Sequence, residues 1–143
     1  MNLAYNGNSE IPVKFVFQLA APTYFDPSEW SLLMRVDKLK TEDEFCAMMT
    51  GKTMTDYSRE IQKISPACIV SADSVPSLIG YGSIDHCVPL SQKYYLMNAY
   101  DKYRVPYDYI EFPKSNHGMY NDLDKLQLFL DKSLEYADRY FKP

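Results

Sequence analysis

Hydrophobic and polar positions along the chain follow two different periods. Residues 13–21, VKFVFQLAA, are apolar on both faces apart from Lys14 and Gln18. That pattern, rich in Val and Phe, predicts a strand buried in a parallel sheet, ending at Pro22. Asp26 or Ser28 can cap a helix over 28–38, with Pro27 near its first turn. Thr41 is followed three residues later by Glu44, the form of a capping box, and predicts a short helix over 42–50 that stops at Gly51. Thr53 opens a third helix, over 54–63, with Pro66 at or just beyond its end. Residues 76–83, PSLIGYGS, read as a second strand whose glycines allow close backbone approach. Over 90–104, Leu90, Tyr94, Met97 and Tyr100 or Tyr103 recur at helical spacing. Residues 107–113, YDYIEFP, alternate as a third strand. Leu123, Leu126, Phe129, Leu130, Leu134 and Tyr140 give an amphipathic helix over 120–141. Strand, helical insert, strand, helix, strand, helix predicts an α/β fold: about three parallel strands with covering helices.

Composition narrows the function more by exclusion than by indication. The 143 residues suit one domain able to bury a core. Hydrophobic residues are 46% and charged residues 24%, with a net charge of −4 and no basic stripe, so nucleic acid is not the expected partner. Thirteen tyrosines and seven phenylalanines point to packed faces, not disorder. No apolar run is long enough to span a membrane, and MNLAYNGNSEIP lacks the pattern of a signal peptide. The compartment is left open, with a lean toward the cytoplasm. Cys46, Cys68 and Cys87 are odd in number and lack CxxC spacing, which argues for reduced thiols and against a disulfide framework or a structural zinc site. No metal or cofactor is expected.

Two loops carry candidate chemistry. GYGSIDHCVP, residues 80–89, breaks from a strand into a turn at Asp85. KSNHGMY, residues 114–120, sets His117 against a glycine after the next strand. Functional groups of open parallel sheets gather beyond the carboxyl ends of the strands. Histidine is the usual general base near neutral pH, and an acid bonded to its far nitrogen fixes its tautomer. Asp85 and His117 are that candidate pair. Alone, each also fits a plain turn aspartate or a surface histidine.

The layout PSLIGYGSIDHCVP, then a helix, then YIEFPKSNHG resembles the C-terminal half of an α/β-hydrolase. It is most similar to bacterial esterase and lipase-like members, and also to the peptidases with the same tail. In that resemblance Gly82, Asp85, Val88 and Pro89 match the G-x-x-D-x-x-V-P context of the triad acid, and His117-Gly118 matches the H-G context of the triad base. VKFVFQLAAPTYFDPSEW resembles the strand and loop before a cap insertion, so the insert over 26–66 is expected to belong to a cap. Trp30, Phe45, Met48, Met49, Met54 and Tyr57 could line an acyl pocket there, although apolar residues at helical spacing more simply pack helices together.

The nucleophile elbow of that fold, G-x-S-x-G, needs small residues two before and two after its serine. None of the twelve serines meets this: Ser9 has Ile11 at the second small position, and Ser83 has Tyr81 and Asp85. A Cys87 nucleophile is opposed by the charge of nearby Asp85. Because the order in this fold is serine, acid, histidine, the resemblance places the serine upstream of Met1. The chain is therefore expected to be the C-terminal part of a serine ester hydrolase, inactive by itself, whose intact form takes a small-molecule ester. The alternatives are a serine peptidase of the same fold and a non-catalytic α/β interaction domain. An uncovered strand over 13–21 would further predict a homo-oligomer.

Overall fold

A computed structural model describes residues 12–30, 41–51 and 54–141. The expected helix over 28–38 from residue 31 onward, and the Thr53 helix start, lie outside the described residues. Three strands, β1 (Val16–Leu19), β2 (Ser77–Gly82) and β3 (Tyr107–Phe112), form one parallel sheet in the order β1-β2-β3. Val16 and Tyr107 both stand in register with Ser77. Among the described residues five helices stand in chain order: α1 (Glu42–Thr50), α2 (Met54–Ile64), the one-turn α3 (Pro66–Ile69), α4 (Ser91–Tyr103) and α5 (Leu123–Tyr140), with a 3-10 turn over Pro27–Trp30.

Side-chain alternation sends the central strand into both layers. On one face α4 covers the sheet: Tyr100 OH shares a 2.6 Å hydrogen bond with Ser77 Oγ and stacks on Tyr107. On the other face α5 covers it: Phe129 packs on Phe112, and Tyr136 OH donates to Ser77 O and Asp108. Every residue of β2 is buried, as the unbroken apolar run requires. Gly80 sits where a Cβ would meet Leu19, Phe112 and Phe129, which lets α5 close on the sheet.

The connection between β1 and β2 is the helical insert. Asp26 caps its first turn, with Oδ1 accepting from Ser28 N and Oγ. The capping box of α1 is complete: Thr41 Oγ1 accepts from Glu44 N, and Glu44 accepts from Thr41 N. Removing such a cap typically costs about 1 kcal/mol. Gly51 closes α1 at φ 70°, where any other residue would be strained. Trp30, Phe45 and Tyr57 are buried against one another, with ring centroids 6.4 and 6.2 Å apart. Trp30 Nε1 donates to Tyr24 O and Tyr57 OH to Phe25 O, tying the insert to the loop after β1. Three of the six residues named as an acyl lining thus form packing contacts, while Met48 is exposed and Met49 only partly buried; the side chain of Met54 lies outside the described residues.

Two helical faces differ from expectation. In α4 the buried residues are Gln92, Lys93, Leu96 and Tyr100, whereas Tyr94 and Tyr103 face solvent. The reason is polar: Gln92 and Lys93 are drawn inward by partners on β1's loop and β3. Gln92 Oε1 accepts from the amides of Thr23 and Tyr24 at 2.9 and 2.7 Å. In α5, Phe129 and Tyr136 are buried, but Leu123, Leu130 and Leu134 are exposed. β1 itself is shorter than the apolar run, since its pairing with β2 ends at Leu19.

Candidate active site

The turn after β2 is built around one carboxylate. Asp85 N donates to Gly82 O, turning the chain out of the strand. Asp85 Oδ1 then accepts from the amides of Cys87 at 2.7 Å and Val88 at 3.0 Å. This is the side-chain turn expected of an aspartate here. It uses one oxygen and fixes the direction of the other. The Asp85 side chain is 0% exposed.

The loop after β3 is held by a second aspartate. Asp122 Oδ2 accepts from Ser115 Oγ at 2.6 Å and from Lys114 N at 2.9 Å. Asn121 closes the same loop, donating its N–H to Ser115 Oγ and its side-chain NH₂ to Lys114 O. Ile84 N donates to Ser115 O, so the two loops are joined through the backbone.

These supports bring the predicted pair together across 32 residues: His117 Nδ1 and Asp85 Oδ2 are 3.0 Å apart. An ionised carboxylate can only accept, so Nδ1 carries the proton and Nε2 keeps its lone pair. The His117 side chain is 50% exposed while its partner is buried. The pair is therefore anchored at the acid end and open at the imidazole end, an arrangement able to accept a proton from a group placed against Nε2.

A charged network stiffens the same end of the sheet. Lys93 Nζ donates to Glu111 Oε2 at 3.0 Å and Tyr109 OH at 2.8 Å, and Ser83 Oγ, two residues before Asp85, also bonds Glu111. Burial pulls Lys93 down, but its bonds to Tyr109 and Glu111 outweigh this and hold the ammonium above its ordinary value. The hydroxyl of Ser83, then Lys93, hold Glu111 below the usual carboxylate range. Cys87 brings a thiol to the pair: one ligand atom each from Asp85, Cys87 and His117 lies within 4.8 Å of the others.

Asp122 escaped the sequence reading, which started the last helix at 120. The signal was present, since an Asp immediately before a periodic apolar run marks a helix start. Its side chain makes no cap bond, however, and serves the histidine loop instead.

The model of the prolyl oligopeptidase family matches residues 17–143, a span that takes in β2, β3, both loops and all of β1 except Val16. The chain belongs to the prolyl oligopeptidase family. Among solved structures, this family member is similar to a truncated form of carbohydrate esterase from gut microbiota, with 23% identity and a TM-score of 0.65 over 91% of this chain and 44% of that one. It is also similar to an acetyl ester-xyloside bifunctional hydrolase from Caldicellulosiruptor lactoaceticus, with 17% identity and a TM-score of 0.57 over 86% of this chain and 43% of that one. The likeness is one of fold, the α/β-hydrolase fold, and the chain spans less than half the length of either neighbour. No curated protein matches it.

Proposed function

We propose that Asp85 and His117 are the acid and base of a serine hydrolase acting on carboxylic esters, with the nucleophile supplied from outside these 143 residues. The 3.0 Å contact between His117 Nδ1 and Asp85 Oδ2, with the other carboxylate oxygen held by two amides, carries this reading. A serine attacks the ester carbonyl while His117 Nε2 takes its proton. His117 returns the proton to the leaving alcohol, and Asp85 holds the imidazole and stabilises its charged form. Water then attacks the acyl-enzyme by the same exchange. The insert over 26–66 forms part of a cap over the acyl group. The absence of G-x-S-x-G from the sequence and the share of each neighbour covered support an external serine.

A second reading, cleavage of peptide bonds by the same pair, is favoured by the family match. The names of the two structural neighbours favour esters. The complete gene product carrying this segment, assayed with p-nitrophenyl acetate and an acyl-proline p-nitroanilide, separates them. Ester turnover is expected to exceed amide turnover and to fall by about 10⁶-fold in His117→Ala. Preferred amide turnover selects the peptidase reading. Activity indifferent to His117→Ala and Asp85→Ala overturns both. The 143-residue chain by itself should turn over neither substrate.

A further inference from the structure

We propose that Asp85, Cys87 and His117 form a binding site for a thiophilic divalent cation of the zinc class. The inference rests on the placement of the three side chains and not on the hydrolase reading. Thiolate, imidazole and carboxylate are the ligands such a cation takes. Tetrahedral ligation at zinc bond lengths separates two N/O ligands by about 3.3 Å and an N/S pair by about 3.6 Å. Nδ1 and Oδ2 already stand 3.0 Å apart. The three ligand atoms lie within 4.8 Å, so closure asks the exposed Cys87 side chain to move by about 1 Å. Asp85 keeps its two amide bonds on Oδ1, because Oδ2 is the ligand. The half-exposed imidazole leaves a fourth position to water. Among the described residues this is the one group of three such side chains.

The charges also fit. One thiolate and one carboxylate neutralise the dication. On binding, the cation replaces the proton between Nδ1 and Oδ2, and the Cys87 thiol releases its proton to solvent. The imidazole keeps its single proton, which moves from Nδ1 to Nε2. Nε2 then donates and can no longer accept, so the bound cation switches off the proposed base. CxxC spacing is not needed, because the site is assembled by the fold from two loops.

Cobalt(II) titration of the chain under a non-thiol reductant is the test. A thiolate-to-cobalt charge-transfer band is expected, saturating at one equivalent and displaced by zinc. Cys87→Ser should abolish it, and His117→Ala should weaken binding at least ~10-fold, since even outer-shell partners contribute that much. Cys68→Ser and His86→Asn should leave it intact. Zinc should also move the His117 ring proton from Nδ1 to Nε2 in ¹⁵N-resolved NMR. Absence of the band, its survival in Cys87→Ser, or its loss in Cys68→Ser overturns the site. Each of those results leaves the hydrolase assay untouched, so the two readings fail separately.

Discussion

Gly82 lies directly beneath Ser115: a Cβ on Gly82 would stand 2.5 Å from Ser115 O and 2.6 Å from Asn116 O. Both contacts are to backbone, which has little room to yield. The histidine loop rests on the end of β2 because β2 ends in a residue without a side chain, and that approach sets His117 beside Asp85. Gly82→Ala is therefore expected to lift the loop, to cost about 1–3 kcal/mol, and to release the Nδ1 proton from Asp85. Thermal unfolding and the His117 ring ¹⁵N signals measure the two effects. An unchanged ring signal in a folded Gly82→Ala protein would show that the approach does not position the pair.

Asp122 acts on His117 through Ser115 and Lys114, so it is a positioning residue. Asp122→Ala removes the acceptor of the buried Ser115 hydroxyl and of the Lys114 amide, at about 1–3 kcal/mol for the stranded donors. The His117 Nδ1 proton should exchange faster with solvent in this variant. Asp122→Asn keeps an acceptor oxygen and should restore the slower exchange in large part. Equal exchange in Asp122→Ala and the parent would reduce Asp122 to a stability residue.

The tyrosines make the fold sensitive to alkali. The bond to Glu29 pushes Tyr95 up to about 12, and burial pushes Tyr109 up to about 12. Burial raises Tyr57, Tyr81 and Tyr136 as well. A folded-state value above the unfolded value of about 10 means the neutral phenol is favoured in the fold. That contribution is fully present below pH ~10 and is lost as pH rises toward 12. Circular dichroism and tyrosinate absorbance should therefore show cooperative unfolding coupled to tyrosine ionisation in that window. Titration of all thirteen tyrosines near pH 10 with the helices intact would contradict it.

Among the described residues β1 is a sheet edge that pairs with β2 alone, and Phe17 and Leu19 are 48% and 39% exposed. On α5, Leu130 and Leu134 are 50% and 69% exposed. Unpaired strand backbone beside apolar side chains is a template for another chain. The 143-residue chain is expected to self-associate at micromolar concentration, and Phe17→Lys should shift it toward monomer. Light scattering reads both, and a monomeric parent would remove the prediction.

Local pattern was enough for much of this protein. The pattern of apolar residues marked the described strands and the helices α4 and α5, because an element's period follows from backbone geometry alone, while start and stop residues marked α1 and α2. Thr41, Glu44 and Gly51 bounded α1 for the same reason: caps act within a few residues. Asp85 and His117 were legible as candidates because each sits in a turn directly after a strand. What the sequence left open depends on contacts between distant segments. Gln92 and Lys93 turn inward on α4 only because Thr23, Tyr24, Tyr109 and Glu111 are there to receive them, and helical periodicity carries no record of a partner on another strand. The exposure of Leu130 and Leu134 is of the same kind, since an apolar stripe records that a face is to be covered and not what covers it. The 3.0 Å approach of His117 to Asp85 was likewise decided in three dimensions, by the parallel register of β2 and β3 and by the bare backbone of Gly82 on which the second loop rests.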